Sequence, residues 1–112
     1  MKDATLREDR ELRPVRALRA TVIQGRDQGL VKVGVESLTV GSGEGNDLVL
    51  TDDTVSRHHL EISRSDDGIL VVDLGSTNGT EVNGQRIQET ALMNGDVIAV
   101  GTTRITFERR LG

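Results

Sequence analysis

Beyond Ala17 no stretch of ten residues keeps the apolar period of a helix; short apolar runs, each ended by a turn signal, stand in its place. Thirteen glycines against one proline say that these runs are joined by many tight turns. Segments 18–23, 30–35, 37–40, 48–50, 59–64, 69–74, 97–100 and 103–108 read as strands. Ser65-Asp66-Asp67-Gly68 makes a hairpin between two of them, and Asn83-Gly84 is a two-residue hairpin signal because both residues tolerate positive φ. In the last run Ile105 and Phe107 share one face, with Arg104, Thr106 and Glu108 on the other. This pattern predicts an all-β chain over residues 17–112, a β-sandwich or barrel, with a two-sheet antiparallel sandwich favoured.

Residues 1–16 are a different material. Lys2, Arg7, Arg10, Arg13 and Arg16 alternate with Asp3, Glu8, Asp9 and Glu11, and apolar positions are few. A short charged helix over 4–13 would stop before Pro14, but without an apolar stripe it has nothing to dock, so a disordered extension is expected. Thr5, with Glu8 three positions on, is a candidate phosphorylation site there.

Composition removes whole classes of function. The absence of cysteine excludes disulfides, thiolate metal sites and cysteine nucleophiles. The only two histidines are adjacent, a poor basis for a metal cage, so neither metal nor cofactor is expected. A net charge of −4 and a single aromatic, Phe107, speak against nucleic-acid binding, which needs a basic field or stacking platforms. The longest apolar run, Ile69-Leu70-Val71-Val72, is far short of the ~20 residues that span a bilayer. With no apolar leader after Met1, a cytoplasmic address and no membrane contact are expected.

Chemistry concentrates in Thr54-Val55-Ser56-Arg57-His58-His59, which joins a hydroxyl, a guanidinium and both imidazoles just before a strand. Hydroxyl and guanidinium donors suit an anion, phosphate above all; a turn with a solvated arginine fits the same six residues. Two further loops, Gly41-Ser42-Gly43-Glu44-Gly45-Asn46-Asp47 and Gly75-Ser76-Thr77-Asn78-Gly79-Thr80, also follow strands and offer hydroxyls, amides and accessible backbone N–H groups. The first lacks the third glycine and the helix of a dinucleotide fingerprint and the Gly-Lys-Ser/Thr end of a phosphate loop. The Asn78-Gly79-Thr80 sequon has no secretory route to use it. Ser56, His59 and Asp73 can be drawn as a triad, but no nucleophile elbow surrounds Ser56, so an enzyme is not expected. Convergence of the three loops at one end of a sandwich would form a shallow, donor-lined pocket suited to a phosphorylated side chain of another protein.

Gly41, the run from Asp53 to His59, the run from Asp73 to Thr80, and Asn83-Gly84 resemble, in type, order and spacing, the forkhead-associated (FHA) domain. The resemblance extends from about Ala17 to Glu108. It implies an eleven-stranded or similar β-sandwich that binds phosphothreonine peptides through loops at one end. By position it implies that Ser56 bonds the phosphate, that Arg57 adds a charge-assisted contact, that Thr77 lies against the phosphate and that Asn78 holds the peptide backbone. It makes His59 a structural brace, has Gly41, Gly79 and Gly84 shape turns, and gives Asn83 a cross-link between loops. One position departs: where the family usually places a phosphate-gripping arginine, this chain has Ser42. From Gly41 to His59, Glu44, Asp47, Asp52 and Asp53 outnumber Arg57, a formal charge of −3. Three outcomes follow: weak phosphate binding by Ser42 and neighbouring amides with Arg57 as the main cation, replacement by another residue such as Arg64 or Arg86, or a phosphate-independent interaction or dimerisation domain that keeps the fold. The resemblance also implies a partner phosphorylated on threonine, for instance a kinase or the chain's own N-terminal segment. Similar modules open bacterial transcriptional activators that work with the nitrogen-type sigma factor, which implies a signalling or transcriptional context.

Overall fold

The computed structural model describes residues 16–111, so the predicted 4–13 helix and Thr5 lie outside the described residues. Eleven strands follow one another among them: β1 (Arg16–Gln24), β2 (Val31–Gly34), β3 (Ser37–Gly41), β4 (Leu48–Val49), β5 (Leu60–Ser65), β6 (Gly68–Asp73), β7 (Thr80–Val82), β8 (Gln85–Ile87), β9 (Glu89–Leu92), β10 (Val97–Val100) and β11 (Thr103–Leu111). They form a six-stranded sheet, β2-β1-β11-β10-β7-β8, and a five-stranded sheet, β4-β3-β5-β6-β9. The all-β sandwich is therefore the fold, and β1 starts at Arg16, paired with Leu111.

Alternation builds the core. Leu18, Ala20, Val22, Ile98, Val100, Ile105 and Phe107 from one sheet meet Leu38, Val40, Leu60, Ile62, Ile69 and Val71 from the other, all buried. Because side chains alternate faces, Arg104, Thr106 and Glu108 turn outward, as the pattern of the last run requires.

Three local features are not announced by the sequence pattern. The sheets are antiparallel except for β3 and β4, which pair in parallel, Val40 with Leu48 and Gly41 with Val49. Parallel neighbours normally need a long crossover. Here Asp47 folds the connecting loop back along β3: its carboxylate accepts from the Thr39 N–H and its own N–H donates to Thr39 Oγ1. The apolar 30–35 run forms a strand as read, β2, but at the sheet edge, where Val31, Val33 and, just beyond it, Val35 are 42–53 % exposed. Strand β9 has no apolar alternation to announce it; of its four residues only Leu92 is buried.

Asn83 (φ +50°) and Gly84 (φ +87°) turn β7 into β8 as both residues' tolerance of positive φ predicts. The Asn83 side chain accepts from the Val97 N–H and donates to Asp96, so its cross-link runs to the turn before β10. That places Asn83 and Gly84 at the end of β7 away from Thr80, as a brace of the far end of the sandwich and not of the loops around Ser56. Replacing Asn83 by alanine removes both bonds and leaves a positive φ that alanine resists. Unfolding in urea should show a loss of about 1–2 kcal/mol with phosphopeptide affinity unchanged.

Candidate functional site

Three loops meet at the other end. The β3–β4 loop is laid against the segment before β5 by a short ladder: Ser42 N–H donates to Ser56 O at 3.0 Å and Gly43 N–H to Arg57 O at 3.1 Å. This approach explains two glycines. A Cβ on Gly41 would collide with the Arg57 carbonyl, and one on Gly43 would lie 2.6 Å from Arg57 Cγ, so the Arg57 stem rests on Gly43. Close contact, not a turn, is what Gly41 supplies.

His59 holds the second and third loops together. It is fully buried; its Nδ1 accepts the Ser56 N–H at 3.0 Å, which puts the ring proton on Nε2, 2.9 Å from Gly79 O. A serine–histidine relay is not assembled, because the imidazole takes the Ser56 backbone proton and Ser56 Oγ accepts the Thr77 N–H at 2.9 Å. Accepting that bond leaves the hydroxyl's own proton available for another acceptor. Asn78 Nδ2 donates to Thr54 O at 2.9 Å, which fixes the amide and leaves its oxygen for another donor.

Two carboxylates rigidify these loops from beneath. Asp73 accepts from the N–H groups of Gly75 and Ser76 and from the hydroxyls of Ser76 and Thr80. Burial would raise its pKa, but the Ser76 and Thr80 hydroxyls, the Ser76 N–H and nearby His59 prevail and hold it below the usual carboxylate value. Asp52 is only 5 % exposed and accepts from the N–H and hydroxyl of Thr54, the N–H and hydroxyl of Thr102 and the hydroxyl of Thr103. Burial again pushes upward, and the bonds from Thr54, Thr102 and Thr103 win, holding the group far below the ordinary range. Asp52 is thus a strut between the second loop and the β10–β11 turn, and its charge does not face the opening. The sequence offers a signal only for the local half of this strut, the turn-forming Thr51-Asp52-Asp53.

Ser42, Ser56, Arg57, Thr77, Asn78, Gly41, His59 and Gly79 are therefore brought together, whereas Asn83 and Gly84 are not. Ser42 and Arg57 are exposed, and among the described residues no carboxylate pairs with Arg57. The Ser42 and Gly43 amides already serve Ser56 and Arg57, so the donors left in the first loop are few. Arg64 points away: its Nε donates to Val35 O at 2.7 Å, at the far end of β5. Arg86, from β8, rests its guanidinium against the third loop, where a Cβ on Gly79 would come within 2.5–2.6 Å of its Cζ, Nη2 and Nε. Beside Asn78 and Thr54 a cleft of about 600 Å³ continues over the six-stranded sheet toward Arg104. Among the described residues no helix is long and apolar enough to cross a membrane, and no acidic or histidine cluster suits a metal ion.

Known proteins share this architecture. One solved structure, of an FHA domain studied for phosphothreonine-dependent interactions, is 35 % identical with a TM-score of 0.74, over 82 % of this chain and 95 % of its own. Another, the FhaA FHA domain complexed with the intracellular domain of Rv3910, is 36 % identical with a TM-score of 0.73, over 81 % of this chain and 99 % of its own. An oxoglutarate dehydrogenase inhibitor of Corynebacterium jeikeium is 43 % identical over 72 residues, 64 % of this chain and 50 % of that protein. The chain spans half or less of the length of the curated relatives it matches. The family profile for the FHA domain matches residues 38–101, more than half the chain and all three converging loops, and the chain belongs to the FHA domain family.

Proposed function

We propose that this domain recognises a threonine-phosphorylated segment of a partner protein, with a phosphate grip weakened by Ser42. The Ser56–Thr77 bond carries the reading: it joins two loops and, with Ser56 Oγ as the acceptor, leaves the hydroxyl proton for a ligand. There Ser56 donates to the phosphate, Arg57 supplies the cation from its bed on Gly43, Thr77 lies alongside, and the Asn78 oxygen takes a backbone N–H of the peptide. Ser42 contributes at most a hydroxyl, since its amide is committed to Ser56 O. Partners of this chemistry include a phosphorylated kinase or the chain's own N-terminal segment phosphorylated at Thr5. Relatives with FHA domains take part in phosphothreonine-dependent interactions, and the inhibitor among them acts, by its name, on a metabolic enzyme. That favours a regulatory, non-catalytic role in metabolism over the transcriptional context, in a cytoplasmic setting.

Titrating an oriented phosphothreonine library and its unphosphorylated twin, followed by fluorescence anisotropy, tests the reading. Phosphorylated peptides should bind more tightly, and Ser56→Ala should cost about tenfold, the lower bound for a hydrogen bond to a charged group. Equal binding of the two libraries would sink it. The rival reading, a phosphate-independent interaction or dimerisation domain, draws on the serine at position 42 and the spent amides of the first loop; it requires Ser56→Ala to leave partner binding intact.

A further inference from the structure

Five strands of the six-stranded sheet each place one residue in a row across its outer face, directly below the loops. By register the row runs Gln24, Arg104, Ala99, Glu81, Arg86. The row faces outward because its neighbours Thr80, Val82, Ile98, Val100 and Ile105 are buried. Ala99 is its low point, and the cleft that begins at Asn78 and Thr54 passes over it between Arg104 and Glu81.

The charges along this row are not balanced locally. Neighbouring strands stand about 4.8 Å apart, so Arg86 is across from Glu81 in register, with no ion pair between them among the described residues, and Arg104 is two strands from Glu81, roughly 10 Å. Cross-strand, Arg104 is in register with Gln24 and Ala99, and along the chain its neighbours two positions away are Thr102, in the turn before β11, and Thr106. Among the described residues no carboxylate pairs with Arg104. An exposed guanidinium without a counter-ion therefore stands over a small residue, in a cleft whose upper rim is Asn78, in a chain of net charge −4.

We propose that Arg104 is a specificity residue: it selects an acidic side chain of the phosphorylated partner, seated in the cleft over Ala99 and close in sequence to the phosphothreonine. The inference rests on the phosphothreonine reading and adds to it the chemistry of a flanking residue. Asn78, which orients the peptide backbone in that reading, lines the cleft, so a segment leaving the phosphate site has a direct path onto this face. A carboxylate matches a guanidinium in plane and charge, and Gln24 adds an amide beside it. Glu81, on the opposite wall, disfavours an acidic residue one strand further on and so narrows the register.

The test uses phosphothreonine peptides with alanine flanks, into which aspartate or lysine is placed at each flanking position in turn. Affinities are measured by calorimetry for the wild-type chain and for Arg104→Glu, with thermal unfolding as the control for folding of this surface variant. At one flanking position aspartate should bind up to about fivefold more tightly than alanine, and in Arg104→Glu that position should prefer lysine. A wild-type chain indifferent to aspartate at every position overturns the proposal, as does an aspartate preference that Arg104→Glu leaves in place. If the alanine-flanked phosphopeptide binds no better than its unphosphorylated twin, the phosphothreonine reading itself has failed and this inference falls with it.

Discussion

Ser42→Arg is expected to tighten phosphothreonine-peptide binding by about 10- to 150-fold, the worth of one added hydrogen bond to a charged group. The backbone is already prepared for it. The Ser42 N–H is anchored on Ser56 O and the Gly43 N–H on Arg57 O, so the Cα at position 42 is held beside the backbone of Ser56 and Arg57. The serine side chain is exposed, and an arginine there meets no packed neighbour. Its guanidinium would face the same phosphate as Arg57, and the repulsion between the two cations is relieved only when a dianion sits between them. The gain should therefore appear for phosphorylated peptides and not for unphosphorylated ones, and should shrink as salt is raised. Calorimetry at two ionic strengths reads both signatures. A gain shared by the unphosphorylated peptide would mean non-specific attraction, and no gain would mean that the phosphate does not sit against position 42.

This prediction comes from the part of the site that was legible in the sequence. Ser56, Arg57, Thr77 and Asn78 announce themselves because their loops lie between clear strands, and the substitution at position 42 shows only against the family's pattern. The strands that alternate cleanly, such as Leu60–Ser65 and Gly68–Asp73, were legible for the same reason. Strand β9 was not, since a single buried leucine in four residues leaves no period to read. Nor was the parallel β3–β4 pair, which depends on Asp47 reaching back to Thr39. The exposed Val31 and Val33 show the converse failure: apolar alternation marks a strand but not the cover over it. Inside the site the hidden members are those whose partners lie far along the chain. Gly43 looks like a loop glycine until the Arg57 stem is found lying on it. Asp52 counted as one of four repelling carboxylates, yet its acceptors are committed to residues about fifty positions away.

Asp52→Ala should be strongly destabilising, lowering the unfolding free energy by about 3 kcal/mol. Five donor groups lose a bond to Asp52 at once: the N–H and hydroxyl of Thr54, the N–H and hydroxyl of Thr102 and the hydroxyl of Thr103, of which only the Thr102 N–H keeps another acceptor, Thr54 Oγ1. Thr103 is fully buried and cannot turn to water for a replacement. The damage also reaches the ligand site, because Thr54 O holds the Asn78 amide, and a slack Thr54 releases it. The sign of the pH dependence follows from the same bonds. The folded chain holds Asp52 well below its ordinary value of 3.8, so the unfolded chain binds the proton first. The stabilisation is complete well above that value and is lost progressively as the pH falls through and below about 4. Asp73, lowered for similar reasons, acts in the same direction. Urea unfolding from pH 7 down to the acid range should therefore show the wild-type chain losing stability more steeply than Asp52→Ala, with the two curves converging in acid. Parallel curves would mean that Asp52 titrates alike in both states, and the strut between the second loop and the β10–β11 turn would then carry none of the stability assigned to it.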